Sequence, residues 1–239
     1  MADKRAANTG KIMSLDSELN PRRINRSSGL AEEVYKMIRA DIMSLRIPPG
    51  TRILVDSLAR ELGVSQTPIR EALSMLEAIG LVTKQHFIGY CAAPKFNSEQ
   101  YKKLFEVRLL LEPYAARHAA QKMEEPMLET LQGLIAQMEP EGANGTLTSY
   151  ERFADQDADF HARIAVGGGN DLIAEALDRL HTHLHIFRLA VHSEYAAEAK
   201  VEHARIALAL TERDPDAAEA AMRAHIENSF QRLIPFIKD

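Results

Sequence analysis

Apolar residues recur at helical spacing in three short stretches near the N-terminus. The first runs from Leu30 to Leu45, and the second, from Val55 to Leu62, is followed at once by Gly63. The third follows Ser65, a helix-capping residue type. Its apolar positions are Ile69, Leu73, Leu76 and Ile79. Glycine accepts the left-handed conformation in which many helices end. The spacing therefore predicts three helices, the last two joined by a tight turn as in a helix-turn-helix.

A pair of short strands is predicted directly after the third helix. Residues 81–85 and 89–92 flank the tip His86-Phe87-Ile88, and residues 51–53 can add a third short strand. Such a hairpin is typical of a wing, which lies beside the recognition helix on DNA. Lys84 and His86 are then placed to touch phosphate or a minor-groove edge. A plain surface hairpin is the alternative interpretation.

The pattern becomes helical throughout after a linker over residues 94–97. Helical segments are expected at 98–122, 126–139, 147–166, 170–193, 195–213 and 215–237. The predicted fold class is mainly α, with a winged helix-turn-helix followed by an all-helical bundle of about six helices. The expected divisions are a disordered arm over residues 1–27, the winged domain over 28–93 and the bundle over 98–239. The triplet Gly167-Gly168-Gly169 lacks the Lys-Ser/Thr pair of a phosphate-binding loop and follows a helix, which excludes that role.

Charge is divided unevenly between the two parts of the chain. Residues 1–94 hold 13 Lys and Arg against 10 Asp and Glu, a net charge of +3, whereas residues 95–239 hold 16 against 24, a net charge of −8. A basic N-terminal part is expected of a DNA-binding domain. The single cysteine, Cys91, and the lack of a signal-peptide or membrane pattern favour a cytoplasmic protein.

One aspartate and three histidines form a second pattern in the C-terminal half. Asp157 and His161 lie four residues apart on one predicted helix and so share a face. His203 lies 11 residues before Asp214, and His225 lies 11 residues after it. If the chain reverses there, the two histidines reach the same level of the bundle. One carboxylate and three imidazoles suit a divalent ion, Zn²⁺ first, with Ni²⁺ and Mn²⁺ as alternatives.

This histidine pattern has two competing explanations. The chain holds nine histidines, so a grouping of four can arise by chance. His181 and His185 are also spaced for one helix face, with His183 between them and His192 beyond. These residues are expected on the wall of a pocket or on the surface.

The residues around the first turn form the longest motif. They are Leu58-Ala59-Arg60-Glu61-Leu62-Gly63-Val64-Ser65-Gln66-Thr67-Pro68-Ile69-Arg70-Glu71-Ala72-Leu73, with Pro49-Gly50 before them. This stretch resembles the GntR family of transcription regulators. The resemblance implies that Ser65, Gln66, Thr67 and Arg70 approach operator DNA. The family usually has Arg at the position of Gln66, and because Gln pairs with adenine whereas Arg prefers guanine, a different operator preference is expected. Asp56 stands where some relatives carry a DNA-contacting Arg, so no contact is assigned to it.

The C-terminal part resembles the FCD domain, the helical effector-binding module of FadR-type members of that family. The matching motifs are Phe105-Glu106-Val107-Arg108-Leu109-Leu110-Leu111-Glu112-Pro113, Asp157-Ala158-Asp159-Phe160-His161, Glu202-His203 and Met222-Arg223-Ala224-His225. The resemblance implies that Asp157, His161, His203 and His225 bind a metal. It also implies that Arg108 contacts the carboxylate of an organic-acid effector, the alternative being an internal salt bridge to Glu112 or Asp157. Six helices favour the VanR-like branch.

The combined expectation is a transcription regulator, a repressor acting as a homodimer, and not an enzyme. A small carboxylate bound at the metal site controls its affinity for double-stranded operator DNA. Two alternatives remain open at this point. The first is a metal-dependent hydrolase or lyase fused to a DNA-binding module, since an open Asp/His site can activate water. The second is a regulator whose metal is purely structural.

Overall fold

The computed structural model describes residues 28–138, 147–188 and 193–237. It confirms the predicted fold class, because a three-helix unit with a small sheet is followed by a helical bundle. The arm predicted over residues 1–27 lies outside the described residues. Among the helices that are described, none has the length and apolar character needed to cross a bilayer.

The N-terminal unit packs three helices on the sheet. Its elements are α1 (Ser28–Met43), β1 (Arg52–Ile53), α2 (Val55–Glu61), α3 (Gln66–Ala78), β2 (Val82–Gln85) and β3 (Gly89–Ala92). The sheet is antiparallel in the order β1-β3-β2. Ile69 and Leu73 of α3 are fully buried against α1. Cys91 is buried in the middle strand, opposite Arg52 and Thr83.

The C-terminal bundle begins with a long helix that has a well-formed start. Its elements are α4 (Ser98–Lys122), α5 (Glu125–Gln137), α6 (Leu147–Gly167), α7 (Asp171–Arg179), α8 (Thr182–Phe187), α9 (Ser193–Thr211) and α10 (Pro215–Leu233), with a 3₁₀ turn at Ile234–Phe236. Asn97 and Gln100 satisfy each other's backbone N–H groups at the start of α4, the reciprocal arrangement of a capping box. Because α4 packs against α6, α9 and α10, it lies at the centre of the bundle.

One predicted helix is divided in two. The segment expected over 170–193 forms α7 and α8, which are separated at His181. His181 has a φ of 44°, a left-handed conformation that a continuing right-handed helix does not allow. The described residues after the linker therefore form seven α-helices. The helix count gives no argument for the VanR-like branch.

The glycine triplet after α6 is explained by close packing. A side chain at Gly168 would place its Cβ 2.9 Å from the backbone oxygen of Ala115 on α4. Gly169 has a φ of 72°, which glycine adopts without strain. These glycines let the end of α6 approach α4 and so set the spacing between the two helices.

Candidate functional site

Four predicted ligands meet in the interior of the bundle. Asp157 and His161 come from α6, His203 from α9 and His225 from α10. One nitrogen of each imidazole and one carboxylate oxygen all lie within 4.8 Å of one another. Oδ1 of Asp157 is 3.4 Å from Nε2 of His203 and 4.0 Å from Nε2 of His161. The reversal at Asp214, whose side chain accepts from the N–H groups of Asp216 and Ala217, brings the last two histidines to one level.

The environment holds the two deepest histidines in the neutral form. Burial lowers the pKa of His203 well below its usual value. Burial also lowers the pKa of His225, although the neighbouring carboxylate of Glu202 opposes this change. A neutral imidazole presents a lone pair to a metal ion without first losing a proton, so both residues are prepared as ligands.

The donor set and its spacing fit a divalent ion. Nε2 of His161 and Nε2 of His203 are buried and have no hydrogen-bond partner in the described chain. Two ligands at about 2.1 Å from one ion lie no more than about 4.2 Å apart, whereas the four atoms lie within 4.8 Å. A pair of ligand atoms 4.8 Å apart would therefore have to close by at least about 0.6 Å, through rotation of the side chains. The role of these residues as metal ligands stays a prediction.

Arg108 is paired with Glu112, which was one of the two internal partners considered from the sequence. Nε of Arg108 donates to Oε1 of Glu112 at 2.5 Å, and Nη2 donates to Oε2 at 3.3 Å. Oε2 of Glu112 also lies 2.7 Å from Nδ1 of His161. Burial alone would raise the pKa of Glu112, but Arg108 and His161 lower it well below the usual value. Glu112 is therefore an anion in the core.

A second carboxylate supports the centre from the other side. Oε2 of Glu202 lies 2.8 Å from Nδ1 of His225. Arg232 donates from Nη1 to Oε1 and from Nη2 to Oε2 of Glu202, both at 2.8 Å. Sequence reasoning missed this role, because no spacing along the chain links Glu202 on α9 to Arg232 on α10. The spacing of Arg108 and Glu112, by contrast, was a visible signal for the first pair.

A cavity of about 450 Å³ opens beside the centre. Its wall includes Arg108, Glu112, Asp157 and His161. His181, Thr182 and His183 of the α7–α8 region also line it. A small anion in this cavity can therefore reach both the ligand cluster and Arg108, which carries the positive charge that such an anion needs.

The competing histidine pair does not form one site. His181 lines the cavity, whereas the ring of His185 stacks on Phe96 of the linker with centroids 3.6 Å apart. His192 lies outside the described residues. Burial lowers the pKa of His185 to about 4, with a further contribution from Arg188.

The short helix α8 joins the cavity to the linker. The Tyr101 hydroxyl donates to the carbonyl oxygen of His185 at 2.8 Å. Nη2 of Arg188, at the end of α8, donates to the carbonyl oxygen of Ala93 at 2.6 Å. Arg188 is fully buried, so its contact with Ala93, the residue just before the linker, is shielded from water. No sequence signal pointed to Arg188.

The predicted DNA-facing residues are exposed on the N-terminal unit. Those at or near the start of α3 are Ser65, Gln66, Thr67 and Arg70, and those on the wing are Lys84 and His86. Nη2 of Arg70 donates to Oε1 of Gln66 at 3.2 Å. The ring of His86 lies 3.8 Å from that of Phe87, which is 94% exposed at the tip of the wing. Their contact with DNA stays a prediction.

Two family descriptions match the chain. Residues 103–228 match the FCD domain, and residues 30–90 match the bacterial regulatory proteins of the gntR family. The chain belongs to the GntR family. This GntR-family regulator is 31% identical over 204 residues to the HTH-type transcriptional regulator LutR of Bacillus subtilis (strain 168), covering 76% of the chain and 91% of the relative. It is also 31% identical over 233 residues to the Uxu operon transcriptional regulator of Escherichia coli (strain K12), covering 86% and 87%. These relatives are regulators, which confirms that the chain is not an enzyme.

Solved structures share the fold of this GntR-family regulator. A putative transcriptional regulator GntR from Rhodococcus sp. RHA1 superposes with a TM-score of 0.69 at 16% identity, covering 88% of the chain and all (100%) of that structure. McbR/YncC of E. coli superposes with a TM-score of 0.66 at 19% identity, covering 86% and 97%. At these identities the likeness shows the fold alone.

Proposed function

We propose that the protein is a homodimeric repressor whose affinity for operator DNA is controlled by a small carboxylate bound at a metal site. The observation that carries this proposal is the shared cavity, whose wall includes Asp157 and His161 of the ligand cluster together with Arg108. A metal ion at the cluster would supply open coordination positions and positive charge for a carboxylate. Zn²⁺ is the first candidate, with Ni²⁺ and Mn²⁺ as alternatives.

Repression and dimerisation rest on different support. One relative is named a probable D-xylose utilization operon transcriptional repressor of Paenarthrobacter nicotinovorans, at 26% identity over 206 residues. On α4, Leu110 is 73% exposed and Tyr114, one turn later, is 45% exposed. An apolar strip of this kind is suited to a second copy of the chain. Two recognition helices related by a two-fold axis would bind a short pseudo-palindromic operator in the cytoplasm.

Contacts of α8 supply a route from the cavity to the DNA-binding unit. A ligand that draws the cavity wall inward moves Thr182 and His183 at the start of α8. The end of the same helix holds Ala93 through Arg188. A shift there changes the separation of the two winged domains in the dimer. A coupling free energy of about 1–3 kcal/mol changes the affinity for the operator by roughly 5- to 150-fold.

The test is thermal unfolding of the full chain with a panel of small carboxylates, with Zn²⁺ or with a chelator. A ligand that binds only the folded state raises the unfolding midpoint. We expect at least one acid to raise the midpoint of the Zn²⁺-loaded chain only. The same acid should then release the chain from an operator selected from random duplexes, measured by fluorescence anisotropy.

A purely structural metal is the second candidate, and one observation favours it. Glu112 already engages Arg108 through two hydrogen bonds, so the guanidinium is neutralised without an effector. On this alternative, Zn²⁺ raises the unfolding midpoint but no acid adds to the increase. A chain that is stabilised by neither Zn²⁺ nor any acid would contradict both candidates.

A further inference from the structure

Glu112 contacts both Arg108 and the predicted metal ligand His161 at the wall of the cavity. It lies one helical turn after Arg108 on α4, and its side chain is 7% exposed. One carboxylate oxygen accepts from Nε of Arg108 at 2.5 Å. The other lies 2.7 Å from Nδ1 of His161. A single buried anion is thus shared between the guanidinium and a predicted metal ligand.

A carboxylate beside Nδ1 determines how an imidazole can act as a ligand. It favours the tautomer with the proton on Nδ1, which leaves the lone pair on Nε2. Nε2 of His161 is the nitrogen that faces Asp157, at 4.0 Å from Oδ1. When Nε2 is coordinated, His161 becomes a stronger donor at Nδ1. Glu112 is then drawn towards His161 and away from Arg108.

Glu202 provides a comparison within the same molecule. Its carboxylate lies 2.8 Å from Nδ1 of His225 and is also paired with an arginine, Arg232. Neither Glu202 nor Arg232 lines the cavity. Each carboxylate lies within 2.8 Å of a histidine Nδ1, although only Glu202 meets the geometry of a hydrogen bond. Of the two, only Glu112 connects its histidine to an arginine that lines the cavity.

We propose that Glu112 is a positioning residue that couples metal occupancy to the availability of Arg108 for an effector carboxylate. Coordination of His161 loosens the hold of Glu112 on Arg108, and the freed N–H groups then receive the carboxylate. Because binding free energies are reciprocal, loss of Arg108 must in turn change the metal affinity through Glu112. This inference rests on the metal site of the proposed function.

The experiment measures the dissociation constant for Zn²⁺ of the full chain by competition with a chromophoric chelator. Glu112→Gln and the matched control Glu202→Gln are each expected to weaken binding by about 10- to 100-fold, the usual effect of removing a carboxylate that orients a ligand. Arg108→Gln is expected to strengthen Zn²⁺ binding, since Glu112 then serves His161 alone. The gain in Zn²⁺ affinity from Arg108→Gln should be at least about threefold larger when Glu112 is present than in the Glu112→Gln background. In the Glu202→Gln background, the gain should equal that in the wild-type background within about twofold.

A second measurement covers the case in which Glu112→Gln fails to fold because it removes the negative charge beside the buried guanidinium of Arg108. Arg108→Gln alone retains Glu112, and circular dichroism checks its fold. In ¹⁵N spectra of the histidine side chains without metal, Nδ1 of His161 should carry the proton. Its resonance should shift in Arg108→Gln, whereas the Nδ1 resonance of His225 should stay in place. An unshifted Nδ1 of His161 would overturn the coupling.

The outcomes separate this inference from the proposed function. If the wild-type chain does not bind Zn²⁺, the proposed metal site is wrong, and the inference is overturned with it. If the wild-type chain binds Zn²⁺ and Glu112→Gln binds equally well, the role of Glu112 alone is overturned. Equal gains from Arg108→Gln with and without Glu112 also overturn the coupling, while the metal site remains.

Discussion

The surface expected to contact DNA and the histidine centre are built in opposite ways. Gln66 and Arg70 are exposed, lie four residues apart on one helix and are hydrogen-bonded to each other. His203 and His225 are 0% and 3% exposed, and folding brings them to Asp157 from distant parts of the chain. A surface site can lose a side chain without disturbing the fold, whereas a core site cannot. The following changes test this difference, beginning with the largest expected effect.

Removal of His203 should abolish stabilisation by Zn²⁺. At a free Zn²⁺ concentration 100 times the dissociation constant, binding stabilises the folded state by about 2.7 kcal/mol. His203→Ala should lose this increment. The variant should also have a lower unfolding midpoint without metal, because the ring of His203 stacks on Phe160 with centroids 4.3 Å apart. Thermal unfolding with and without Zn²⁺ measures both effects. His86→Ala, which removes an exposed histidine of the wing, is the control and should keep the full increment.

Removal of Arg70 should affect DNA binding and leave the fold intact. Loss of one base-contacting side chain costs about 1–3 kcal/mol of binding free energy, which weakens operator affinity by roughly 5- to 150-fold. Arg70 is exposed, so the unfolding midpoint of Arg70→Ala should stay the same. Anisotropy titration with a selected operator duplex gives the affinity. The matched control is Arg223→Ala, an exposed arginine on α10, and equal affinities for the two variants would exclude Arg70 from the interface.

Acid should loosen the contact between α8 and the linker. The pKa of His185 is lowered to about 4 in the fold, against about 6.5 in an unfolded chain. The unfolded state therefore binds more protons between these values, and stability is lost as pH falls from about 6.5 towards 4, by about 3 kcal/mol. Urea unfolding across this range measures the loss. His185→Phe keeps a ring on Phe96 and should reduce the loss, while His183, whose pKa is also lowered to about 4 by burial, keeps its own contribution. An unchanged slope would assign the acid sensitivity to groups other than His185.

The ion pair between α1 and α6 should have the smallest effect. Nη2 of Arg39 lies 2.5 Å from Oδ1 of Asp155, with the two side chains 21% and 55% exposed. Exposed pairs contribute about 0–1 kcal/mol and are screened by salt. Arg39→Ala should lower the free energy of unfolding by less than about 1 kcal/mol, and 1 M salt should remove most of the difference. A loss that persists in high salt would indicate a packing role for Arg39.

Local patterns predicted most of the fold and part of the site. The spacing of Ile69, Leu73 and Leu76 identified α3, since one helix face is enough to specify it. The equal distances of His203 and His225 from Asp214, 11 residues each, placed the two histidines at one level. These inferences succeeded because they need only helix geometry and one reversal of the chain.

The remaining features depend on tertiary contacts. The break at His181 results from its left-handed backbone conformation. Glycine is the residue type that predicts this conformation most reliably from sequence, and His181 is not a glycine. The pairing of Glu202 with Arg232 joins two helices whose relative rotation the sequence does not specify. The sequence excluded a phosphate-binding role for Gly168 but did not predict its function in the fold, which is the close approach of α6 to Ala115.

The buried position of Cys91 has a practical consequence for measuring the dimer. The sequence contains one cysteine, and this thiol is 4% exposed in the middle strand of the sheet. Thiol reagents should therefore leave the native chain unlabelled. A cysteine introduced at Phe87 would carry a spin label at the tip of each wing without changing Cys91. The distance between two such labels would then report directly how far apart the wings stand when Zn²⁺ and an acid are added.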